Sequence, residues 1–414
     1  VKTVEVEVRL PRLHPGQERV LAEARRYNVL ACGRRWGKTT LLEDLAVNAA
    51  IDGRRVGWFA PTYALLEEAY GRMRRTLGRV VVSAAQSPHP RLELFTGGVV
   101  EFWTLDDPYK AGRGRAYHLA IVDEAAFAKR LDVAWEESIG PTLTDYRGTA
   151  WFASTPKGRN YFFELWARGQ GGDPEWASWQ MPTRTNPHIS TDELEARRRT
   201  MPELAWRQEY EAEFVDAEGG VFRDAVLDAV FVLEGPEEPR AGRRYVAGVD
   251  LARTTDYTDV RVLDASEIPA RLAFHIRWRG DTWTVTADRV AGILRRYNAL
   301  GVVDATGVGD PVFEALRRRW SRVEAFRFTP QTKAQLVERL VVALEQGELL
   351  LYREPALEAE LMAFRAEALP SGHVRYSAPD GMHDDAVMAL ALAVHGVRRG
   401  PAFAKRRPSL KRRF

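Results

Sequence analysis

The sequence predicts an α/β fold built as two successive α/β sets, and three observations predict it. Short apolar runs alternate with helical patterns up to about Phe214, and again from Tyr245 to about Val397. In the first set a Gly-Lys-Thr loop joins an apolar run to a helical pattern. In the second, three acidic clusters far apart in sequence stand at the ends of apolar runs or at the start of a helix.

The first set opens with Asn28 to Ala31, which reads as a buried strand, and Thr40 to Ala50, which reads as a helix. Between them lies Cys32-Gly33-Arg34-Arg35-Trp36-Gly37-Lys38-Thr39-Thr40. A loop of this kind presents backbone N–H groups at a helix N-terminus, where a phosphate chain is held. Lys38 is placed to reach the β- and γ-phosphates of ATP, and Thr39 to ligate Mg²⁺. Arg34, Gly37, Lys38, Thr39 and Thr40 are the loop's candidate nucleotide contacts. Cys32 stands where the general pattern G-x-x-x-x-G-K-[ST] has its first glycine.

Further strands are expected at Val56 to Ala60, Leu119 to Val122 and Thr149 to Ala153. The Leu119 strand ends in Asp123-Glu124. Asp123 would serve the metal, and Glu124 the attacking water. In His14-Pro15-Gly16-Gln17 the Gln17 amide has the donor and acceptor needed to read adenine, and a surface turn is the alternative. Ser154-Thr155-Pro156 reads either as a hydroxyl sensor of hydrolysis or as a strand-ending turn. Arg113 and Arg115, in a Gly-flexed segment, are alternatives for an arginine finger or are simply solvated.

Residues 215–244 lose periodicity, and Glu234 to Gly242 is rich in turn formers and acids, so this stretch reads as a linker. The second set begins with Arg244 to Asp250, an apolar strand ending in a carboxylate, and reaches about Trp278 through three strand-like segments. A helical pattern over Val285 to Tyr297 leads to Leu300-Gly-Val-Val-Asp304, which repeats the device. Met382-His383-Asp384-Asp385 then starts a long apolar helix. Asp250, Asp304 and the Asp384-Asp385 pair can converge at one sheet edge, a hard-oxygen set suited to two Mg²⁺ or Mn²⁺ ions and phosphodiester cleavage. Singly, each acid also reads as a turn, strand end or helix cap. Consecutive helix residues point about 100° apart, so the sequence leaves open which of Asp384 and Asp385 faces the metals. Asp256 and Asp259 read as loop or supporting residues, His383 as a structural histidine or a proton-transfer aid, and Lys333 with Arg339 as a basic helix face available to DNA.

Composition narrows the classes. At 414 residues, 45% hydrophobic and 28% charged, the chain has ordinary globular usage and room for about two or three domains. It has no apolar run near the roughly 20 residues that span a bilayer, no signal-peptide pattern and one cysteine, so a cytoplasmic protein without a disulfide is expected. The net charge is +3, and the eight basic residues of 398–414, unaccompanied by any acid, leave −5 for the rest. That Pro-containing tail is expected to be disordered and to suit nucleic-acid phosphate or an acidic partner.

Together these residues resemble the large terminase subunit of tailed double-stranded DNA phages, from about His14 to Val397. The order carries the likeness: phosphate loop, Asp-Glu strand, Ser-Thr-Pro, linker, then three dispersed acidic clusters. The family's phosphate loop commonly begins with a small residue and has an arginine two positions later, as Cys32 and Arg34 do.

The resemblance implies an N-terminal P-loop (RecA/ASCE-like) ATPase domain over 1–214, a linker over 215–244, an RNase H-like nuclease domain over 245–397 and a basic tail over 398–414. It implies ATP-driven translocation of double-stranded DNA into a procapsid, and endonuclease cutting of concatemeric DNA at the start and end of packaging. Catalytic roles carry over to Glu124, Arg113, Asp250, Asp304, Asp384 and Asp385. Ser154-Thr155-Pro156 matches the family's coupling motif.

Implied partners are DNA, a small terminase subunit and the portal. The implied assembly is a pentameric homo-oligomeric ring on the procapsid, with a monomer when free and no membrane. The implied place is the cytoplasm of the infected bacterium at the portal vertex, and not the mature virion. A repair helicase-nuclease would share both centres, but about 170 residues after the linker leave no room for a second RecA-like lobe. A nucleotide-gated DNA-binding scaffold is the non-enzymatic alternative.

Overall fold

The computed structural model of the chain describes residues 7–87, 89–215, 220–251, 257–306, 309–368, 374–379 and 383–398. Asp256, Met382 and the basic segment after Arg398 lie outside the described residues. The chain divides into two compact units, Val1–Ala196 with Leu204–Asp216, and Arg197–Glu203 with Ala217–Phe414.

The first unit is built on eight strands: β1 (Tyr27–Cys32), β2 (Arg55–Ala60), β3 (Val81–Ala85), β4 (Arg91–Leu94), β5 (Val99–Thr104), β6 (Leu119–Asp123), β7 (Thr149–Ser154) and β8 (Trp176–Met181). Their order across the sheet is β3-β4-β5-β2-β6-β7-β1-β8. All pairs from β5 to β8 are parallel, and the β3–β4 hairpin forms an antiparallel edge. A parallel sheet needs both faces covered, and alternate residues of each strand supply the two cores. Leu30 and Cys32 of β1 face one cluster, while Val29 and Ala31 face the other.

Helices α1 (Pro15–Ala22), α2 (Lys38–Ile51) and α3 (Tyr63–Leu77) belong to this unit. His14 caps α1 with Pro15 as its first residue, a position where the missing N–H costs nothing. Strand β7 lies between β6 and β1. The carboxylates ending β6, Ser154 ending β7 and the loop after β1 therefore emerge side by side at the carboxyl ends of the strands.

The second unit carries a seven-stranded sheet formed by β9 (Phe231–Leu233), β10 (Tyr245–Asp250), β11 (Thr258–Asp264), β12 (Ala270–Trp278), β13 (Leu300–Asp304), β14 (Val323–Phe326) and β15 (Leu349–Tyr352), in the order β14-β13-β10-β11-β12-β15-β9. Strands β10, β11 and β12 form an antiparallel meander, and β13 joins β10 in parallel. The registers pair Asp250 with Asp259 and Val249 with Val303, which sets Asp304 beside Asp250 at one end of neighbouring strands. The helix Asp385–Arg398 is apolar on nearly every side and buried along its length. Gly248 admits it: a Cβ there would stand 1.9 Å from the Ala389 carbonyl oxygen. The meander, the β13 crossover and this helix are the mixed α/β arrangement expected of the C-terminal half.

Part of the expected linker is structured instead. Asp224–Val230 is a helix and Phe231–Leu233 is β9, paired with β15. Phe222, Leu227, Val230 and Phe231 are buried in the core of the second unit, so a short apolar pattern anchors a stretch whose composition reads as loop. The acidic, Pro-containing piece from Glu234 to Gly242 is irregular.

Candidate functional sites

The loop between β1 and α2 has the backbone of an anion-binding nest. Arg35 (φ 63°) and Gly37 (φ 105°) are left-handed, which turns successive N–H groups to one side. Lys38, Thr39 and Thr40 form the first turn of α2, where helical N–H groups have no carbonyl partner. Gly33 is required by contact: a Cβ there would lie 2.3 Å from Thr183 Oγ1 and 2.4 Å from the Tyr210 carbonyl oxygen. Arg34 is exposed and ion-paired with Glu209.

Gln17 departs from the expected adenine reader. Its Oε1 accepts from the His14 N–H at 2.9 Å, and its Nε2 donates to the Gly37 carbonyl at 2.8 Å. The capping box of α1 and the loop together engage both ends of the amide, and the side chain is 2% exposed.

Lys38 Nζ lies 2.8 Å from Glu124 Oε1, with both side chains largely buried. Burial works against the ammonium, but Glu124 outweighs it and holds the Lys38 pKa above its ordinary value. Asp123 is buried at the end of β6, and burial followed by the adjacent Glu124 pushes its carboxyl up to about 7. Glu124 sits in the left-handed region (φ 51°), and its N–H donates to Asp123 Oδ1 at 3.0 Å. Ser154 Oγ donates to Glu124 Oε2 at 3.3 Å, which brings the Ser-Thr-Pro segment to the same carboxylate. Lys38, Asp123, Glu124 and Ser154 are thus brought together as expected.

The two candidate fingers separate. Arg115 stands 3.3 Å from the buried carboxylate of Glu101 and lies over the Trp103 ring. Glu101 also accepts from Tyr117 Oη at 2.9 Å. Arg113 is exposed between Gly112 and Gly114, both left-handed.

In the second unit the acids converge electrostatically. Burial pushes the Asp250 carboxyl well above its ordinary range, and Asp304, Asp385, Asp384 and Asp259 push it further. Asp385 is 8% exposed and accepts from the Tyr257 N–H at 3.2 Å and from Arg277 Nη2 at 3.0 Å, both on Oδ2. Arg277 Nη1 reaches Glu360 at 2.6 Å, and Glu360 in turn accepts from the Ala386 and Val387 N–H groups at the start of the long helix. Asp384 is held by Lys333 Nζ at 2.7 Å. Lys333 is therefore tied into this acidic cluster, where the sequence suggested a solvated or DNA-facing helix surface.

Asp304 Oδ1 accepts from the Thr306 N–H at 2.8 Å. Asp259 is wholly buried and ion-paired with Arg261, which also binds Glu354, so it is a structural charge beneath the cluster. His383 packs edge-on against Tyr257, with Nδ1 3.8 Å from Asp385. Among the described residues, no three acidic, histidine or cysteine side chains stand close enough to ligate one ion together. Like charges without a counter-ion repel, and two of these carboxylates are held by Lys333 and Arg277. The set still fits hard divalent cations, since it consists of carboxylate oxygens, and burial, then the neighbouring acids, raises the Asp250 pKa.

Residues 29–227 match the family described as terminase large subunit, T4likevirus-type, N-terminal, and residues 247–396 match the terminase RNaseH-like domain. The large terminase subunit of Thermus virus P23-45 is 30% identical over 388 residues, covering 81% of this chain and 77% of that protein. The chain belongs to the large terminase subunit family. The subunit of Thermus phage G20c is 32% identical over 312 residues, 68% of this chain and 62% of that protein, so the match spans less than two thirds of that relative's length. The fold of a large terminase from another thermophilic bacteriophage, solved in complex with ADP, matches with a TM-score of 0.52 at 16% identity, over 93% of this chain and 99% of that one. The α/β class expected from sequence is borne out, and the second unit of this terminase chain is RNase H-like.

Several residues of the two centres escape sequence reasoning. Thr183, Asn186, Glu209 and Tyr210 reach the phosphate loop, and Arg277 and Glu360 reach Asp385 and the helix it begins, across long sequence separations. None sits in a local motif. Arg277 alternates with apolar neighbours along β12, and that inward charge is the one signal available.

Proposed function

We propose that this chain is the ATP-driven motor and endonuclease that packages double-stranded phage DNA. The observation that carries the reading is the pair of centres on one chain: Lys38 clasped to Glu124 beside a protonatable Asp123, and Asp250 crowded by further carboxylates.

At the first centre, the amides of Lys38 to Thr40 receive the phosphates of ATP, and Lys38 leaves Glu124 for the β- and γ-oxygens. Thr39 and Asp123 would hold Mg²⁺. Released from Lys38, Glu124 orients the attacking water, and Ser154 reports on the state of that carboxylate. Arg113, exposed on its Gly-flexed loop, is the finger offered to a neighbouring subunit, while Arg115 is committed to Glu101.

At the second centre, Asp250, Asp304 and Asp385 would hold Mg²⁺ or Mn²⁺, with Asp384, paired to Lys333, as a further carboxylate. Divalent ions there supply the charge that activates a water and steadies the leaving oxygen of the phosphodiester. Arg277 and the Tyr257 N–H fix the Asp385 carboxylate, and Glu360 fixes the helix start that carries it.

The partners are concatemeric DNA, a small terminase subunit, the portal and further copies of this chain in a ring. The place of action is the procapsid portal vertex in the infected cell. The test is packaging with purified procapsids, reading DNA protected from added nuclease. ATP-dependent protection, lost in Lys38→Ala, is the expected result. Protection without ATP, or none with every partner present, contradicts the proposal.

A further inference from the structure

Four consecutive carbonyls of the phosphate loop are each held by a side chain from elsewhere in the same unit. Thr183 Oγ1 donates to the Arg34 oxygen at 2.7 Å and Asn186 Nδ2 to the Arg35 oxygen at 2.8 Å. His14 Nε2 meets the Trp36 oxygen at 2.9 Å, and Gln17 Nε2 donates to the Gly37 oxygen at 2.8 Å. Because His14 Nδ1 accepts from the Gly16 N–H at 3.1 Å, Nε2 is the ring's donor.

The register of these bonds matters. In an α-helix the N–H of residue i bonds the carbonyl of residue i−4. The carbonyls of Arg34, Arg35 and Trp36 are the acceptors that the N–H groups of Lys38, Thr39 and Thr40 would take if α2 wound back by one turn. All three are already occupied by side chains. The first bond from α2 to the loop is the Leu41 N–H on the Gly37 oxygen at 3.1 Å. Arg35 is held in the left-handed region, which is disfavoured for a residue with a Cβ, and Asn186 grips the carbonyl of that residue.

The clasp is also buried. His14, Thr183 and Asn186 are 4%, 1% and 7% exposed, so water cannot take over their bonds to the loop. Trp36 Nε1 adds a bond to Thr185 Oγ1 at 2.8 Å, and the absence of a Cβ at Gly33 lets the 183–186 segment approach.

We propose that His14, Thr183 and Asn186 are positioning residues of the nucleotide site, which pin the carbonyls of Arg34, Arg35 and Trp36 and so hold the loop in its non-helical, left-handed turn, with the N–H groups of Lys38, Thr39 and Thr40 left for phosphate oxygens. Gln17 closes the clasp at Gly37. The inference rests on the nucleotide reading above and adds Thr183 and Asn186, which lie outside every motif, to it.

The test is the Kd of a fluorescent ADP analogue for the full chain, with the ATP KM and kcat measured in parallel. Thr183→Val and Asn186→Ala should each weaken binding roughly five- to tenfold, with KM rising more than kcat falls. Thr183→Ser, which keeps the donor, should restore binding to within about twofold. Hydrogen exchange of the nucleotide-free wild type gives a readout independent of any variant: the amides of 38–40 should exchange rapidly and be slowed by ADP. Binding unchanged in both weakened variants while Lys38→Ala has lost it would overturn the clasp and leave the nucleotide site standing, as would amides already protected without nucleotide. Failure of the wild type to bind would overturn the nucleotide reading itself, and the clasp with it.

Discussion

Lys38 Nζ and Glu124 Oε1 lie 2.8 Å apart, so the side chain proposed to grip the phosphates and the one proposed to orient water neutralise each other. In the proposed mechanism ATP parts them, and the Glu124 carboxylate is freed when phosphate oxygens take its place on Lys38. Glu124→Gln removes the charge that competes for Lys38. ATP should bind at least as tightly as to wild type, while hydrolysis falls by about 10²–10⁴-fold. Equilibrium binding beside steady-state turnover checks this, and weaker binding in the variant would contradict it.

Asp123 gives the first centre a pH dependence. Burial, then Glu124, raises its carboxyl from 3.8 to about 7. A carboxyl whose folded pKa lies above its unfolded value stabilises the fold fully below about pH 4, and that contribution is lost as pH rises through about 7. Metal binding requires the deprotonated form. Apparent Mg²⁺ affinity in ATP hydrolysis should therefore fall up to about tenfold per pH unit below about pH 7, and level off above it. Magnesium titrations across that range provide the check, and a flat profile would contradict the assignment.

Burial, then the neighbouring carboxylates, makes an ionised Asp250 destabilising, and the proposed metal would relieve it. Without metal, Asp250→Asn should raise the Tm, by roughly 2–4 °C for each kcal/mol of repulsion and desolvation relieved. Added Mg²⁺ or Mn²⁺ should raise the Tm of the wild type and have little effect on the variant. Thermal melts with and without metal read both effects, and a lowered metal-free Tm would count against the convergence of the four acids.

Arg113 and Arg115 should part in experiment as they do in space. Arg115→Ala removes the nearest of three arginines around the buried Glu101, leaving Arg55 and Arg91 at 3.8 Å, and should cost roughly 1 kcal/mol of stability. Arg113→Ala should leave the Tm unchanged and lower ATP turnover only under conditions where rings assemble. Denaturation curves and concentration-dependent turnover distinguish the two, and a large stability loss in Arg113→Ala would contradict its exposed placement.

Much of this architecture was legible because the informative residues lie at strand ends. Asp123, Asp250 and Asp304 each close an apolar run, and the run fixes both the strand and the direction in which its end points. The helix from Asp385 was legible from its unbroken apolar length. Roles set by tertiary partners were not. Gln17 has the chemistry of a base reader, but a capping box and the loop carbonyl take its amide. Lys333 looks like a solvated helix lysine until the fold brings Asp384 to it. The apolar spacing of Leu227, Val230 and Phe231 was masked by the turn-rich residues that follow, which is why that stretch read as linker.

The central claim is that two independent phosphate-chemistry centres reside on one chain. It is tested most directly by measuring ATP hydrolysis and Mn²⁺-dependent plasmid cleavage on the same preparations of wild type, Glu124→Gln and Asp304→Asn. The account predicts that wild type does both, that Glu124→Gln loses hydrolysis and still cuts, and that Asp304→Asn hydrolyses ATP and no longer cuts. Cutting that survives Asp304→Asn undiminished, or hydrolysis that survives Glu124→Gln, would contradict it.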